Sequence, residues 1–285
     1  MKDELGRNIN YLRISVTDRC NLRCRYCMPE EGIEKKCHLD MLSLEEMFEV
    51  VKACSSLGTD KIRITGGEPL VRKGLAGLVE SISGLDTIKE IAMTTNGVLL
   101  AKYAVELKKA GLRRVNISLD TMNKDKYSYM TSGGDIRCVL EGIEKAKSVG
   151  LTPIKINTVL IKNFNEDEIE NFVELTIKEN IDVRFIELMP LGQASSWASE
   201  QYLPNSLVLE RVKELIPAEE TDISSPAKYY RLPGAKGRVG FINPISHKFC
   251  GCCNRIRLTA DGKLKPCLHS DMEIDVKKIL RGENR

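Results

Sequence analysis

The sequence predicts an α/β fold: an incomplete parallel (βα)6-type barrel followed by a C-terminal extension. Strand-like apolar runs alternate with amphipathic, helix-like segments through most of the chain, and this alternation is typical of a parallel sheet with right-handed crossovers. Six such strand–helix units suggest a barrel-like sheet that is incomplete. After about Gly192 the alternation stops, and the sequence becomes richer in loops and turns. We therefore divide the chain into a barrel core, residues 1–192, and an extension, residues 193–285, packed on it.

Six short apolar runs are predicted as the barrel strands. They cover residues 11–16, 61–65, 88–95, 114–119, 154–160 and 183–188. A parallel barrel carries its chemistry at the C-terminal ends of its strands. Polar residues lie after most of these runs, namely at 17–20, 65–69, 94–97, 118, 120 and 187. We expect them to face one barrel mouth.

The helices between the strands carry start and stop signals. Ser43 and Glu46 form a capping box, and Gly58 is placed to end that helix. Asn165 and Glu168 are predicted to cap a later helix in the same way. Further helices are predicted over residues 136–149 and 205–216.

Composition excludes several classes of protein. The 285-residue chain is 29% charged and 42% apolar, as in an ordinary globular protein. Its net charge of +3 is too small to indicate nucleic-acid binding. No apolar run approaches the roughly 20 residues that cross a membrane, and no apolar signal core follows Met1. We expect a cytoplasmic protein without a membrane or nucleic-acid partner.

The most informative motif is the block Cys20-x-x-x-Cys24-x-x-Cys27. Ten cysteines in a cytoplasmic chain favour metal or redox chemistry over disulfides. Three thiolates from one loop can hold three irons of a 4Fe–4S cube and leave the fourth iron open for reaction. The alternative is a zinc site, for which Cys37 or His38 would be the fourth ligand.

A second group of three cysteines near the C-terminus repeats this ligand count: Cys250, Cys253 and Cys267. Asp261 and Gly262 are typical of a hairpin turn between residues 255–259 and 263–267. A two-residue turn would set Cys267 opposite Ile256, about 10 Å along the strand from Cys253.

Other cysteines leave alternatives open. Cys252 is a rival ligand in the second group, and a zinc site there would use Cys252 or His247 as its fourth ligand. Cys54 lies on an apolar helix face and is predicted to be core, and Cys138 also lies in a helix. We assign no chemistry to Cys54 or Cys138.

The first cysteine block, with the aromatic Tyr26 before its last cysteine, resembles the signature of radical S-adenosylmethionine enzymes. Residues 66–69, Gly-Gly-Glu-Pro, resemble their second motif. The run 249–263 and the segment 266–268 are typical of a much smaller group of proteins. Together with residues 62–69 and 184–187, they resemble the GTP 3′,8-cyclase family of molybdenum cofactor biosynthesis. The resemblance extends from about Leu5 to the end of the sequence.

The resemblance implies a barrel of the radical S-adenosylmethionine kind, two 4Fe–4S clusters and the cofactor S-adenosylmethionine. The first cluster would be held by Cys20, Cys24 and Cys27, and the second by Cys250, Cys253 and Cys267. The cofactor would be bound by Tyr26, Gly67, Ser118 and Met189. GTP would be bound by Arg13, Arg63, Thr94, Lys155, Arg255, Ile256 and Arg257.

Physical reasoning supports several of these roles. A lone basic residue in a strand often only extends to water, but Arg13, Arg63 and Lys155 at one barrel mouth would form a triphosphate pocket. Arg255 and Arg257 are two residues apart, so they share one face of a strand. Without the resemblance, Ser118 and Thr94 would be interpreted as ordinary strand-end hydroxyls, and Met189 as core.

The implied activity is that of a lyase that cyclises GTP to 3′,8-cyclo-7,8-dihydro-GTP, the first step of molybdopterin synthesis. A low-potential electron donor and the downstream cyclic pyranopterin monophosphate synthase are the implied partners, and a homodimer is left open. The alternatives are a radical enzyme that modifies a peptide, and a zinc-binding module without catalysis. The family usually ends in a Gly-Gly tail, and this sequence stops at Arg285 before such a tail.

Overall fold

A single curved sheet forms the centre of the molecule. The computed structural model describes residues 2–33, 37–219, 222 and 224–282. Within them the strands are β1 (Tyr11–Ser15), β2 (Lys61–Thr65), β3 (Glu90–Thr95), β4 (Arg114–Ser118), β5 (Ile154–Leu160), β6 (Ile181–Glu187), β7 (Ile216–Pro217), β8 (Ala227–Arg231), β9 (Val239–Ile242), β10 (Arg255–Leu258), β11 (Lys263–Lys265) and β12 (Ile274–Asp275).

Six parallel strands, β1 to β6, lie side by side in chain order, and this confirms the predicted fold class. The sheet order is linear, β12-β11-β10-β1-β2-β3-β4-β5-β6-β9-β8-β7, so the barrel is open. The later strands join both ends of the sheet. Strand β10 pairs in parallel with β1, and β9 pairs in parallel with β6.

Helices cover the outer face of the sheet. They are α1 (Leu44–Ser56), α2 (Leu75–Ser83), α3 (Leu100–Lys109), α4 (Lys124–Thr131), α5 (Ile136–Ser148), α6 (Ile169–Lys178), α7 (Ser206–Arg211) and α8 (Val276–Leu280). The core lies between helices and strands, and it includes the fully buried Leu12, Ile14 and Met47. None of the described helices is both long and apolar enough to cross a membrane.

The capping box of α1 forms as predicted. The Ser43 hydroxyl accepts the Glu46 N–H at 3.1 Å, and the Glu46 carboxylate accepts the Ser43 N–H at 2.8 Å. Gly58 follows the helix with φ of 99°, a conformation that favours glycine.

Replacement of Ser43 by alanine is expected to lower the free energy of unfolding by about 1 kcal/mol, because it removes one half of this cap. Chemical denaturation of the apoprotein measures the change. Ser56→Ala at the exposed C-terminal end of the same helix is the control, and it should change stability by less than about 0.5 kcal/mol. Equal effects at both sites would contradict the capping role.

Two helix predictions are wrong. Asn165 and Glu168 make no side-chain cap for α6. The Asn165 amide instead donates to the carbonyls of Asp120 and Val159, at 2.6 and 2.8 Å, and the Glu168 carboxylate accepts the Thr121 hydroxyl. The predicted helix over residues 205–216 is only α7, because Ile216 already belongs to the edge strand β7.

The predicted hairpin forms, but its register is shifted by one residue. Arg257 pairs with Lys265 and Leu258 with Leu264. The loop therefore has three residues, with Gly262 at φ of 85° in the left-handed position that such loops require. Extended along the strands, this register sets Cys267 opposite Arg255 rather than Ile256.

Candidate active site

The first cysteine loop follows directly from the C-terminal end of β1. The N–H groups of Cys27 and Met28 both donate to the Cys24 carbonyl, at 2.9 and 3.0 Å, so the second half of the loop is a tight turn. The Cys20 sulfur accepts the Leu22 N–H at 3.4 Å and the Asn96 amide at 3.8 Å. Hydrogen bonds to sulfur stabilise a thiolate and tune a cluster that it binds.

Burial raises the pKa of all three thiols in this loop, and their mutual repulsion as thiolates adds to the effect for Cys24 and Cys27. A bound metal would supply the positive charge that deprotonates them. Among the residues that the structure describes, no three His, Cys, Asp or Glu side chains close around a single metal ion. The donors directed at the Cys20 sulfur are the feature that fits an iron–sulfur cluster here.

The Gly-Gly-Glu-Pro segment packs its backbone on the cysteine loop. The Gly67 N–H donates to the Thr17 carbonyl and the Glu68 N–H to the Arg19 carbonyl, both at 2.8 Å. A Cβ atom on Gly67 would lie 2.4 Å from the Arg19 oxygen and 2.6 Å from that of Asp18. Glycine at 67 is therefore needed for contact between the two loops, in addition to its predicted role near a ligand.

Glu68 is a site residue that the sequence analysis missed. Its buried carboxylate accepts the Thr95 hydroxyl and the Asn96 N–H, both at 2.7 Å, and the Leu70 N–H at 3.1 Å. These bonds join the end of β2 to the end of β3, and Asn96 in turn contacts Cys20. The signal was present, because Glu68 lies inside the second motif.

Tyr26 lies between the cysteine loop and the end of β4. Its hydroxyl donates to Asp120 Oδ2 at 2.7 Å, and the Val159 N–H donates to Asp120 Oδ1 at 2.8 Å. Burial raises the pKa of Asp120 to about 6, although these two bonds oppose the shift. Ser118 ends β4 and Met189 follows β6, so both belong to the same mouth. Of the four residues predicted to bind S-adenosylmethionine, Tyr26 thus lies in the cysteine loop and Gly67 packs against it, whereas Ser118 and Met189 lie at the ends of β4 and β6.

The barrel interior is lined by basic side chains in register. Leu12 and Ile14 face the helices, so Arg13 between them faces the interior. Arg13 pairs across the sheet with Arg257 on β10 and with Arg63 on β2, which places three guanidinium groups in one row.

The other residues predicted to bind GTP lie on the same sheet. Thr94 is opposite Asn116 on β4, and Asn116 is opposite Lys155 on β5. Thr94 and Lys155 therefore share the interior face of the sheet. Arg255 is two residues before Arg257 and lies on that face as well. Ile256 is opposite Leu12 and packs against the core, so only its backbone is available to an interior ligand.

Among the described residues, seven buried polar atoms of this interior face have no hydrogen-bond partner. They are Tyr11 Oη, Arg13 Nε, Arg63 Nε, Thr94 Oγ1, Asn116 Nδ2, Asn157 Oδ1 and Arg255 Nε. A buried polar atom without a partner is costly. Such a concentration on one surface indicates that a polar ligand completes these bonds.

The charges of the interior are also incompletely compensated. Arg13 and Arg63 form no ion pair with any described residue. Burial and the neighbouring guanidinium groups of Arg257 and Arg63 lower the pKa of Arg13 to about 9. Burial lowers the pKa of Arg63 to about 10, and that of Lys155 to about 7. A polyanion bound here would raise the pKa of each of these groups and so favour its charged form.

Two further interior cations were not predicted. Arg114 lies two residues before Asn116 and donates to Glu90 at 2.6 Å, and Arg184 on β6 bonds the Tyr229 hydroxyl. The period-two alternation of β4 and β6 would have identified both.

The second cysteine group lies at the opposite end of the same strands. Cys250 and Cys252 belong to an exposed turn, and Cys253 precedes β10 by two residues. The Arg7 guanidinium donates to the Cys250 carbonyl at 2.8 Å. Burial lowers the pKa of Arg257, whereas the nearby thiols of Cys267 and Cys253 act to raise it. The pairing of Arg257 with Lys265 sets Cys267 two residues beyond that partner, and Cys253 lies four residues before Arg257 along the chain.

The length of β1 separates the two cysteine groups. Cys20 follows its C-terminal end, whereas Cys253 lies near its N-terminal end through the parallel pairing with β10. Four residue steps of roughly 3.3 Å set the two groups more than about 13 Å apart. Arg13 lies midway along this strand. The remaining cysteines lie elsewhere: Cys54 is core, as predicted, Cys138 is in α5, and Cys37 is exposed.

Comparison with known proteins identifies the class to which this barrel belongs. The model of the Radical SAM superfamily matches residues 14–176, and that of Molybdenum Cofactor Synthesis C matches residues 181–285. The fold of Streptococcus suis SuiB bound to its precursor peptide SuiA is similar, with a TM-score of 0.69 at 15% identity over 94% of this chain and 62% of that one. Methylornithine synthase is also similar, with a TM-score of 0.60 at 15% identity over 94% of this chain and 76% of that one.

The fold and the cysteine loop define a radical S-adenosylmethionine enzyme, a class that uses a 4Fe–4S cluster and S-adenosylmethionine. Two curated relatives narrow this class. The GTP 3′,8-cyclase of Alkaliphilus oremlandii is 59% identical over 99% of this chain and 88% of its own length. That of Peptoclostridium acidaminophilum is 62% identical over 98% of this chain and 86% of its own length. The chain belongs to the GTP 3′,8-cyclase family, as the sequence predicted.

Proposed function

We propose that this chain catalyses the reaction of its family, the cyclisation of GTP to 3′,8-cyclo-7,8-dihydro-GTP, with GTP bound inside the barrel. Cys20, Cys24 and Cys27 would hold the first 4Fe–4S cluster. The chain would divide at residue 192 into a barrel core and an extension that carries a second cluster. The reaction is the first step of molybdenum cofactor biosynthesis.

The observation that carries the proposal is the interior face between the two cysteine groups. Within the part of the chain that the structure describes, Arg13 and Arg63 have no ion-pair partner, and several buried polar atoms of this face have no hydrogen-bond partner. Guanidinium groups bind phosphate oxygens in a bidentate manner. A nucleoside triphosphate supplies both the negative charge and the acceptors that this surface requires.

When bound, the first cluster and S-adenosylmethionine supply the radical that removes hydrogen from the ribose C3′ of GTP. The protein's own residues determine where that happens. Asn96 and Glu68 hold the first cysteine loop against the ends of β2 and β3, and Tyr26 joins it to Asp120. Interior cations hold the substrate, and the enclosing strands exclude water from the reacting carbon.

Cys250, Cys253 and Cys267 are proposed to hold the second cluster beside the guanine end of the substrate. The support is local: Arg7 fixes the Cys250 carbonyl, and Arg257 lies near the other two thiols. Cys252 remains an alternative ligand on the same exposed turn. A donor of low potential would supply the electron to the first cluster, and the enzyme would be a homodimer or a monomer. We place the enzyme in the cytoplasm, where its free cysteines would stay reduced.

The affinity for GTP is expected to fall as the pH rises from 7 to 9. Burial lowers the pKa of Lys155 to about 7, so its amine is largely neutral above that pH in the free enzyme. The triphosphate favours the charged form, so binding above pH 7 takes up a proton, and the dissociation constant should rise up to about tenfold per pH unit. Isothermal titration calorimetry in buffers of different ionisation enthalpy measures both effects.

Lys155→Arg is the matched variant for this titration, because the ordinary pKa of arginine is about two units above that of lysine and the variant should stay charged to a higher pH. Its pH dependence should be flatter than that of the natural enzyme. A dissociation constant that does not change between pH 7 and 9 in the natural enzyme would remove Lys155 from the substrate site.

The proposed reaction is tested by anaerobic assay of the reconstituted protein with GTP, dithionite and S-adenosylmethionine. We expect 5′-deoxyadenosine and the cyclic nucleotide together, and iron and sulfide analysis should give about four irons per site. One zinc per site would support the binding module instead. If no 5′-deoxyadenosine forms, even with the family's Gly-Gly tail appended after Arg285, the proposal fails.

A further inference from the structure

One tyrosine from the C-terminal part of the chain lies between two buried cations of the barrel. The Tyr229 oxygen accepts Arg184 Nε at 2.7 Å and also Arg184 Nη2, and it lies 3.3 Å from Lys155 Nζ. Tyr229 is only 8% exposed. The next residue, Tyr230, has its ring 5.1 Å from that of Phe241, among apolar side chains. Only one of two adjacent tyrosines on β8 therefore contacts the charged interior.

A carboxylate holds the same lysine from β6. Asp182 Oδ2 lies 3.3 Å from Lys155 Nζ and 2.9 Å from Arg238 Nη2. Asp182 is 3% exposed, so water does not replace these contacts. The Arg238 guanidinium in turn lies over the Tyr229 ring, 4.2 Å from its centre. Lys155 is thus held by Tyr229 and Asp182, two groups on different strands.

We propose that Tyr229 and Asp182 are positioning residues for the GTP site, and that they hold Lys155 and Arg184 in place before the triphosphate arrives. This inference rests on the proposed function. Two buried cations side by side repel each other. The phenol oxygen accepts from both and reduces that repulsion without removing either charge, and Asp182 adds a counter-charge that it shares with Arg238.

This arrangement keeps the buried Lys155 partly charged near pH 7, where its pKa lies. Preformed cations bind a polyanion more tightly, because the cost of ordering them has already been met in folding. The charged or titratable groups around Lys155 are Arg184, Asp182, Arg114 and Tyr229. Among them only the Asp182 carboxylate carries negative charge, so its removal should make Lys155 harder to protonate.

Tyr229→Phe tests the positioning role, with Tyr230→Phe as its matched control and Arg13→Ala as a check on the site itself. The GTP dissociation constant of the anaerobically reconstituted enzyme is measured by calorimetry, and KM and kcat from product formation. Loss of a hydrogen bond to charged groups should weaken GTP binding by about tenfold or more in Tyr229→Phe, with KM raised and kcat largely kept. Tyr230→Phe should change binding by less than about twofold.

Asp182→Asn provides the second readout. It should weaken GTP binding at pH 8 and recover part of the affinity near pH 6, whereas a purely structural loss would be the same at both pH values. If the circular dichroism spectrum shows that Tyr229→Phe is not folded, Asp182→Asn alone tests the positioning role.

The outcomes separate the two proposals. If Tyr229→Phe and Asp182→Asn bind GTP like Tyr230→Phe while Arg13→Ala does not, the positioning role is wrong and the GTP site stands. If Arg13→Ala also binds GTP normally, the proposed site itself is wrong.

Discussion

Cys24→Ser is expected to abolish formation of 5′-deoxyadenosine. Serine keeps the size of the side chain and leaves the backbone turn intact, in which the Cys24 carbonyl accepts the N–H groups of Cys27 and Met28. A hydroxyl is a much poorer ligand for iron than a thiolate. Loss of outer-shell groups already costs about 10- to 100-fold at metal sites, so loss of a ligand should lower the rate by more than about 100-fold.

The measurement is direct: iron and sulfide content after reconstitution, together with 5′-deoxyadenosine by chromatography. The variant should lose about one cluster per chain. GTP binding should persist, because the interior cations are on other elements. Cys138→Ser is the control, since Cys138 lies in α5 and belongs to neither cysteine group. A Cys24→Ser protein that retains its iron and still forms 5′-deoxyadenosine would show that the first loop is not the radical site.

Local signals explain why the barrel could be predicted. Strands β2 and β5 have the predicted bounds, and β1 and β4 differ from theirs by one residue. Each is a short apolar run between helix caps or turn residues, and both signals are readable within a few positions. The box at Ser43 formed because its two bonds involve only neighbours in sequence.

Long-range pairing explains what could not be predicted. Strand β10 pairs with β1 across more than half of the chain, and β9 joins β6 at the other end of the sheet. No local pattern specifies such partners. Asn165 and Glu168 have the spacing of a cap, but tertiary contacts with the loop after β4 satisfy their side chains instead. Tyr229 was missed for the same reason, because its partners belong to β5 and β6.

The candidate site was also predicted in its local parts but not in its assembly. Short motifs identified Cys20, Cys24, Cys27 and the basic residues of β1 and β2. Their arrangement around one site depends on the parallel pairing of β1 with β10, which sets the second cysteine group at the far end of β1 and leaves Arg13 between the two groups. The hairpin register moved Cys267 to the level of Arg255, closer to Cys253 than the predicted pairing with Ile256 allowed. A one-residue shift therefore favours the proposed second cluster.

Gly67→Ala is expected to displace the first cysteine loop. The added Cβ would lie 2.4 Å from the Arg19 oxygen and 2.6 Å from the Asp18 oxygen, and both belong to backbone that cannot rotate away. Relief would require breaking the bonds from the Gly67 and Glu68 N–H groups to the same loop. Overpacking of this kind costs about 1–3 kcal/mol or more, and loss of a buried bond adds about 1 kcal/mol.

Gly77→Ala is the matched control, because a Cβ at that position in α2 has no atom within 4 Å among the described residues. It should stabilise the protein by about 0.5–1 kcal/mol, since alanine is the better helix former. Thermal denaturation and iron content are measured on both variants. Gly67→Ala should unfold earlier and bind less iron, because Asp18 and Arg19, which the added Cβ would displace, directly precede Cys20 in the loop. If both variants melt above the natural protein and fill with iron, then Gly67 is not held by contact with the loop, and its role is left to the bound cofactor.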